Sequence, residues 1–153
     1  MQQWKKGRGK LGIFEPLLGR WQAQAETPRG PLICTRVFEK VLAGSHVRLD
    51  AHWGVANKPY IENAMFGLNS EKTLCFWSFT SDGKQSQGRQ IAVEDIHPLA
   101  IGFEARMPAG LARMVYWPHD EQGFYWIVES KNKTGWKRFV EHHYVAVRDQ
   151  ASP

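Results

Sequence analysis

The stretch His46-Val-Arg-Leu-Asp-Ala-His-Trp53 alternates polar and apolar side chains without a break. A period of two is the mark of a strand with one wet face and one dry face. His46, Arg48, Asp50 and His52 fall on the solvated face, while Val47, Leu49, Ala51 and Trp53 face the core. Outward from this segment the chain continues as runs of roughly 6–11 residues separated by turn chemistry. Thr27-Pro-Arg-Gly-Pro31, Ala43-Gly-Ser45 and Asn57-Lys-Pro59 are such breaks, as are Asn69-Ser-Glu-Lys72 and Ser81-Asp-Gly-Lys84. His97-Pro98, Pro108-Ala-Gly110, Pro118-His-Asp-Glu-Gln-Gly123 and Lys131-Asn-Lys-Thr-Gly135 follow. The result is about ten short strands at even spacing.

Strands joined by tight turns pair antiparallel with their sequence neighbours. Left open, such a meander exposes two long edges, and closure into a barrel removes them. A sandwich would need a long crossover connection, and none of these loops is long enough. The expectation is an all-β, closed, up-and-down antiparallel barrel of about ten strands with a short helix near Ile13–Leu18. Leu74-Cys-Phe-Trp-Ser-Phe79 is apolar on both faces. This predicts that part of the outer wall is covered by the helix or by a second subunit, making a homodimer an expectation.

A length of 153 residues suits one domain with its own core. The 7 Trp, 8 Phe and 4 Tyr favour pleated, half-buried surfaces and the walls of apolar pockets. The net charge of +5 is concentrated at the start. Residues 1–10 hold Lys5, Lys6, Arg8 and Lys10 and no acid, so the rest carries 16 basic against 15 acidic side chains. We therefore expect a flexible basic tail over 1–10, one domain over 11–153 and no specific nucleic-acid partner. No apolar run approaches the ~18 residues of a membrane span, and no apolar segment follows the basic start. Cys34 and Cys75 lack metal or redox spacing and read as buried, reduced thiols. The expected location is cytoplasmic.

Leu17-Leu-Gly-Arg-Trp21 follows the predicted helix and opens the first strand. It resembles the Gly-x-Trp signature of lipocalins and related calycins. Together with Ser81-Asp-Gly83 and Gly135-Trp-Lys-Arg-Phe-Val-Glu-His-His-Tyr144, it makes Gly12–Arg148 similar to small bacterial lipocalin-like barrels. The resemblance implies that Gly19 bends the chain into the barrel floor, that Trp21 plugs that floor, and that Arg148 packs over the indole. Trp21, Ala23 and Ala25, with His142-His-Tyr-Val-Ala-Val147, also resemble nitrobindin-type haem barrels. Those carry Gly where this chain has Ala. That likeness implies His142 or His143 as an axial haem ligand; otherwise no cofactor is expected.

His142 and His143 are adjacent on a strand and point to opposite faces, so they cannot share a metal. The inward set is either Arg138, Val140, His142 and Tyr144, or Phe139, Glu141, His143, Val145 and Val147. His46 and His52 lie about 20 Å apart along their strand, too far for one metal. His119-Asp120-Glu121 reads as a solvated turn. Glu62 shares a face with Tyr60, Ala64, Phe66 and Leu68, and is expected to pair with Arg138 or Arg106 across the lumen.

These readings converge on a barrel that binds a small, largely apolar ligand. Phe66, Phe103, Met114, Tyr116 and Trp126 are the expected walls; Glu62, Arg138, His142 and Tyr144 are the polar anchors. A haem-binding barrel, an isomerase or hydratase using Glu62 or His142 as acid–base, and a structural dimerisation module are the alternatives. No catalytic residue is assigned. A lumen above ~300 Å³ favours ligand binding, and a lumen filled by side chains favours the structural role.

Overall fold

A 3₁₀ helix over Gly12–Leu17 leads into ten strands. They are β1 (Gly19–Thr27), β2 (Gly30–Val41), β3 (His46–Val55), β4 (Lys58–Leu68), β5 (Leu74–Thr80), β6 (Gln85–Ile91), β7 (Ile101–Met107), β8 (Gly110–Pro118), β9 (Phe124–Asn132) and β10 (Gly135–Ala146). The computed structural model describes residues 4–28, 30–55, 58–108 and 110–147. Each strand pairs antiparallel with the next, and β1 closes on β10 through Trp21↔Ala146 and Gln22↔Val145. The expected all-β, ten-stranded, up-and-down closed barrel with a short N-terminal helix is the observed fold. No helix of the described residues is long and apolar enough to cross a membrane.

The alternation from His46 to Trp53 holds in three dimensions. Val47, Leu49 and Ala51 are buried, and their register with Phe66, Ala64 and Glu62 on β4 directs both strands' inner faces into one core. The 3₁₀ helix lies across one end of that core. Its Phe14 is fully buried, with its ring 4.7 Å from Phe66 and 6.0 Å from Phe103. Gly19 turns the chain from helix to strand at φ 117°, a conformation that excludes most side chains. Trp21 then enters the floor, where its Nε1 donates to the Leu17 carbonyl at 2.6 Å and its ring meets Phe124 edge-on at 4.7 Å. Trp4 crosses the same end, its indole donating to the Leu99 carbonyl at 3.2 Å and packing on Phe124. Arg148 lies outside the described residues; the strand before it ends with the Val147 amide donating to the Arg20 carbonyl.

The helix closes the barrel end and does not cover the doubly apolar β5, whose Phe79 stays 59% exposed on the outside. What does cover an outer wall is the connection between β6 and β7. Val93 packs there on Val115 and Ile127, with Ile96, Ala100 and Trp117 around them. Arg113 on the outer face of β8 ties this connection down, its guanidinium reaching Asp95 at 2.9 Å and Glu129 at 2.7 Å. Sequence patterning shows that such a face must be covered but not by what, so the loop was missed.

Candidate ligand-binding site

Aromatic rings fill the lower half of the lumen: Phe14, Phe38, Phe66, Phe103 and Phe124 are all buried. Above them the inner face changes to small side chains, among them Ala64, Ser78, Ala105, Ala112 and Ser130. Side chains this short cannot meet across a ten-stranded barrel, so a cavity of about 350 Å³ remains. Its rim is formed by Tyr60, Lys84, Met107 and Phe139, at the end opposite the helix. β6 and β7 pair only from Gly88↔Ala105 to Ile91↔Gly102, so the wall parts between them towards this rim.

Five expected wall residues, Phe66, Phe103, Met114, Tyr116 and Trp126, line the cavity, as does Glu62. Glu62 accepts a hydrogen bond from the buried Ser78 hydroxyl. It does not pair with Arg138 or Arg106. Register slips between Arg138 and Val140 on β10, so Phe139 is the extra residue of a bulge. The slip puts Arg138 on the outer wall, bonded to Glu129 at 3.1 Å and Glu141 at 2.6 Å and stacked over Trp117. Arg106 alternates outward from Phe103, Ala105 and Met107, and borders an outer groove with Trp77 and Glu104. The expectation of Arg138 as a lumen anchor is therefore corrected.

Beyond the bulge, Val140, His142 and Tyr144 point inward, as in the first of the two sets read from the sequence but without its Arg138. His142 and Tyr144 stand behind the cavity wall rather than in it. The His142 ring packs against Trp53 at 5.2 Å and Trp126 at 5.5 Å, and its Nδ1 lies 3.4 Å from the Tyr144 hydroxyl. Burial, reinforced by the positive charge of Arg36, pushes its pKa down to about 4, so it is neutral at physiological pH. His143 is on the outside, where Nε2 donates to the Gln122 carbonyl and the ring stacks on His119 at 3.7 Å. An axial haem ligand must present a free nitrogen to an open pocket. His142 is walled off and His143 faces outward, so these residues do not fit haem. Among the described residues no cluster of His, Cys, Asp and Glu is placed to hold a metal ion.

The dominant polar group of the lumen was not singled out from the sequence. Arg36 on β2 lines the cavity at 2% exposure, between Cys34 and Phe38 on the same inner face. Its Nη2 donates to the Tyr116 hydroxyl at 2.7 Å, and its guanidinium carbon sits 4.2 Å from the centre of the Trp126 ring. Nε and Nη1 of Arg36 and Nε1 of Trp126 are buried and make no hydrogen bond of full geometry. Burial opposes the charge on Arg36, but its pKa stays above the ordinary arginine value, with the Glu62 carboxylate and a hydrogen bond with Tyr144 among the causes. Arg36 is therefore a fixed cation. The signal was present in Cys34-Thr-Arg-Val-Phe38, where a strand that buries Cys34 and Phe38 must bury Arg36 as well.

No protein-family model matches this chain, and comparison with curated proteins finds no match.

Proposed function

We propose that the protein is a lipocalin-like (calycin) binding barrel that takes one small ligand with a largely apolar body into its lumen. The observation that carries this reading is the cavity of about 350 Å³, lined by Leu49, Phe76, Phe103 and Met114 and open at one end. This volume falls at the lower end of the range for small-molecule pockets, and a barrel filled by its own side chains has no such space. The Gly19-Arg-Trp21 opening and the helix-closed floor support kinship with lipocalin-like barrels.

A neutral fluorescent probe such as N-phenyl-1-naphthylamine tests the reading. The wild type is expected to bind it saturably at one site. Met114→Trp, which fills the lumen from its wall, is expected to weaken binding by about tenfold or more through steric exclusion. Equal, non-saturating fluorescence in both proteins would place the probe on the surface and remove the basis for the proposal.

A further inference from the structure

We infer that the ligand of this lumen carries a carboxylate, and that Arg36 is the residue that anchors it. The inference rests on the small-molecule reading above and names the ligand's chemistry.

Three buried N–H-bearing atoms, Arg36 Nε, Arg36 Nη1 and Trp126 Nε1, make no hydrogen bond of full geometry within the protein, although the Tyr144 hydroxyl stands near Arg36 and the Tyr116 hydroxyl near Trp126. Two of them belong to one guanidinium, and the third belongs to the indole on which that guanidinium rests. A buried donor without a partner is destabilising, and more so when it is charged. Natural interiors rarely leave such groups unmatched unless a ligand or water completes them. Tyr116 holds the guanidinium through Nη2 and so fixes its position.

Charge narrows the choice of acceptor. No described carboxylate forms an ion pair with Arg36; Glu62 acts on it only through longer-range attraction. In register, Arg36 is opposite Ala51 on β3, and Ala51 is opposite Glu62 on β4. The two charges thus sit in register across β2, β3 and β4, two strands apart, with the cavity touching both. A neutral carbonyl would satisfy the N–H groups but leave the cation unpaired. A dianionic phosphate would bring two negative charges past Glu62. A monoanionic carboxylate supplies charge-assisted acceptors and leaves its apolar body for Phe76, Phe103 and Met114. An amine would meet Arg36 as a like charge.

Isothermal titration with decanoate, decanol and decylamine at neutral pH tests this on the intact protein. Decanoate is expected to bind about tenfold or more tighter than decanol, the worth of a charge-assisted hydrogen bond. Arg36→Met should abolish that preference while decanol still binds. Glu62→Gln removes the like charge and should strengthen decanoate binding several-fold relative to decanol. Because Glu62 is only partly buried and lies outside the core, that variant carries the test if Arg36→Met does not fold. Decanol equal to decanoate in the wild type, or an unchanged preference for decanoate over decanol in Glu62→Gln, overturns the carboxylate assignment and leaves the binding barrel standing. Failure of all three probes to bind the wild type overturns both.

Discussion

Arg36 and Trp126 face each other inside the barrel with the guanidinium carbon 4.2 Å from the indole centre, and both retain N–H groups that make no hydrogen bond of full geometry. The arrangement lets a cation exist in an apolar lumen: the ring's negative face and the Tyr116 hydroxyl replace part of the lost hydration. It also orients the remaining donors. Packing from below, by Phe38 against Tyr116 at 5.7 Å and Phe124 against Tyr144 at 5.3 Å, keeps the supporting rings in place. The aromatic floor thus closes the barrel and also braces the polar group above it.

Trp21 is the first test of that floor. Trp21→Ala removes a 2%-exposed indole, its hydrogen bond to Leu17 and its contact with Phe124. We expect a loss of about 3–5 kcal/mol, the range for a large aromatic truncated in a core. Urea denaturation followed by far-ultraviolet circular dichroism measures it; a change under 1 kcal/mol, a surface-like value, would show that Trp21 does not hold the floor.

The barrel was legible because alternation, turn residues and strand length all point one way, from His46–Trp53 through to Phe124–Val128. The same parity puts Phe66, Phe103, Met114, Tyr116 and Trp126 on inner faces, where they line the cavity. Parity fails wherever a strand slips. Arg138 was read on the same face as His142, and the bulge at Phe139 moved it to the other wall. A bulge leaves little mark in a single sequence when no Gly or Pro accompanies it. Arg36 was overlooked for a different reason: a charged residue between buried neighbours looks like an outward position until its register with Cys34 and Phe38 is fixed.

The outer wall carries a second buried charge system. Glu129 bridges Arg113 and Arg138, and the Arg113 and Glu129 side chains are only 6% and 7% exposed. Glu129→Gln leaves two arginines without their shared carboxylate, and we expect it to cost about 3 kcal/mol. Asp95→Asn removes the arm of the same network that is 60% exposed, and should cost under about 1 kcal/mol. Thermal denaturation of both variants checks the contrast. Equal shifts would mean that burial does not set the worth of these pairs.

Hemin titration separates the two histidines by function. His142 is enclosed by Trp53, Trp126 and Tyr144, and His143 is bonded to Gln122 on the outside. Added hemin is therefore expected to give no sharp, stoichiometric Soret band, and the spectrum should be the same in His142→Ala. A one-to-one band lost in that variant would require the Trp53–Trp126 wall to open and would overturn this account of the site.

Enclosure of His142 also makes stability depend on pH, with a sign fixed by the direction of its pKa. The ordinary histidine value is 6.5, and burial together with Arg36 lowers it to about 4 in the folded protein. Between these values the unfolded chain binds a proton that the folded chain refuses. Stability therefore rises with pH across this window, and falls as the pH drops from 6.5 towards 4. At about 1.4 kcal/mol per unit, the full swing is about 3 kcal/mol. Carboxylates titrate in the lower part of the same range, so the wild-type profile alone does not isolate the histidine. His142→Phe keeps a ring against Trp53 and Trp126 but has no proton to exchange. The difference in unfolding free energy between wild type and this variant, measured by urea titration at a series of pH values, is expected to grow in the wild type's favour as pH rises through the window. It should level off above 6.5. Parallel profiles would mean that His142 keeps its ordinary pKa in the folded state, and that the wall behind Arg36 is wet rather than dry.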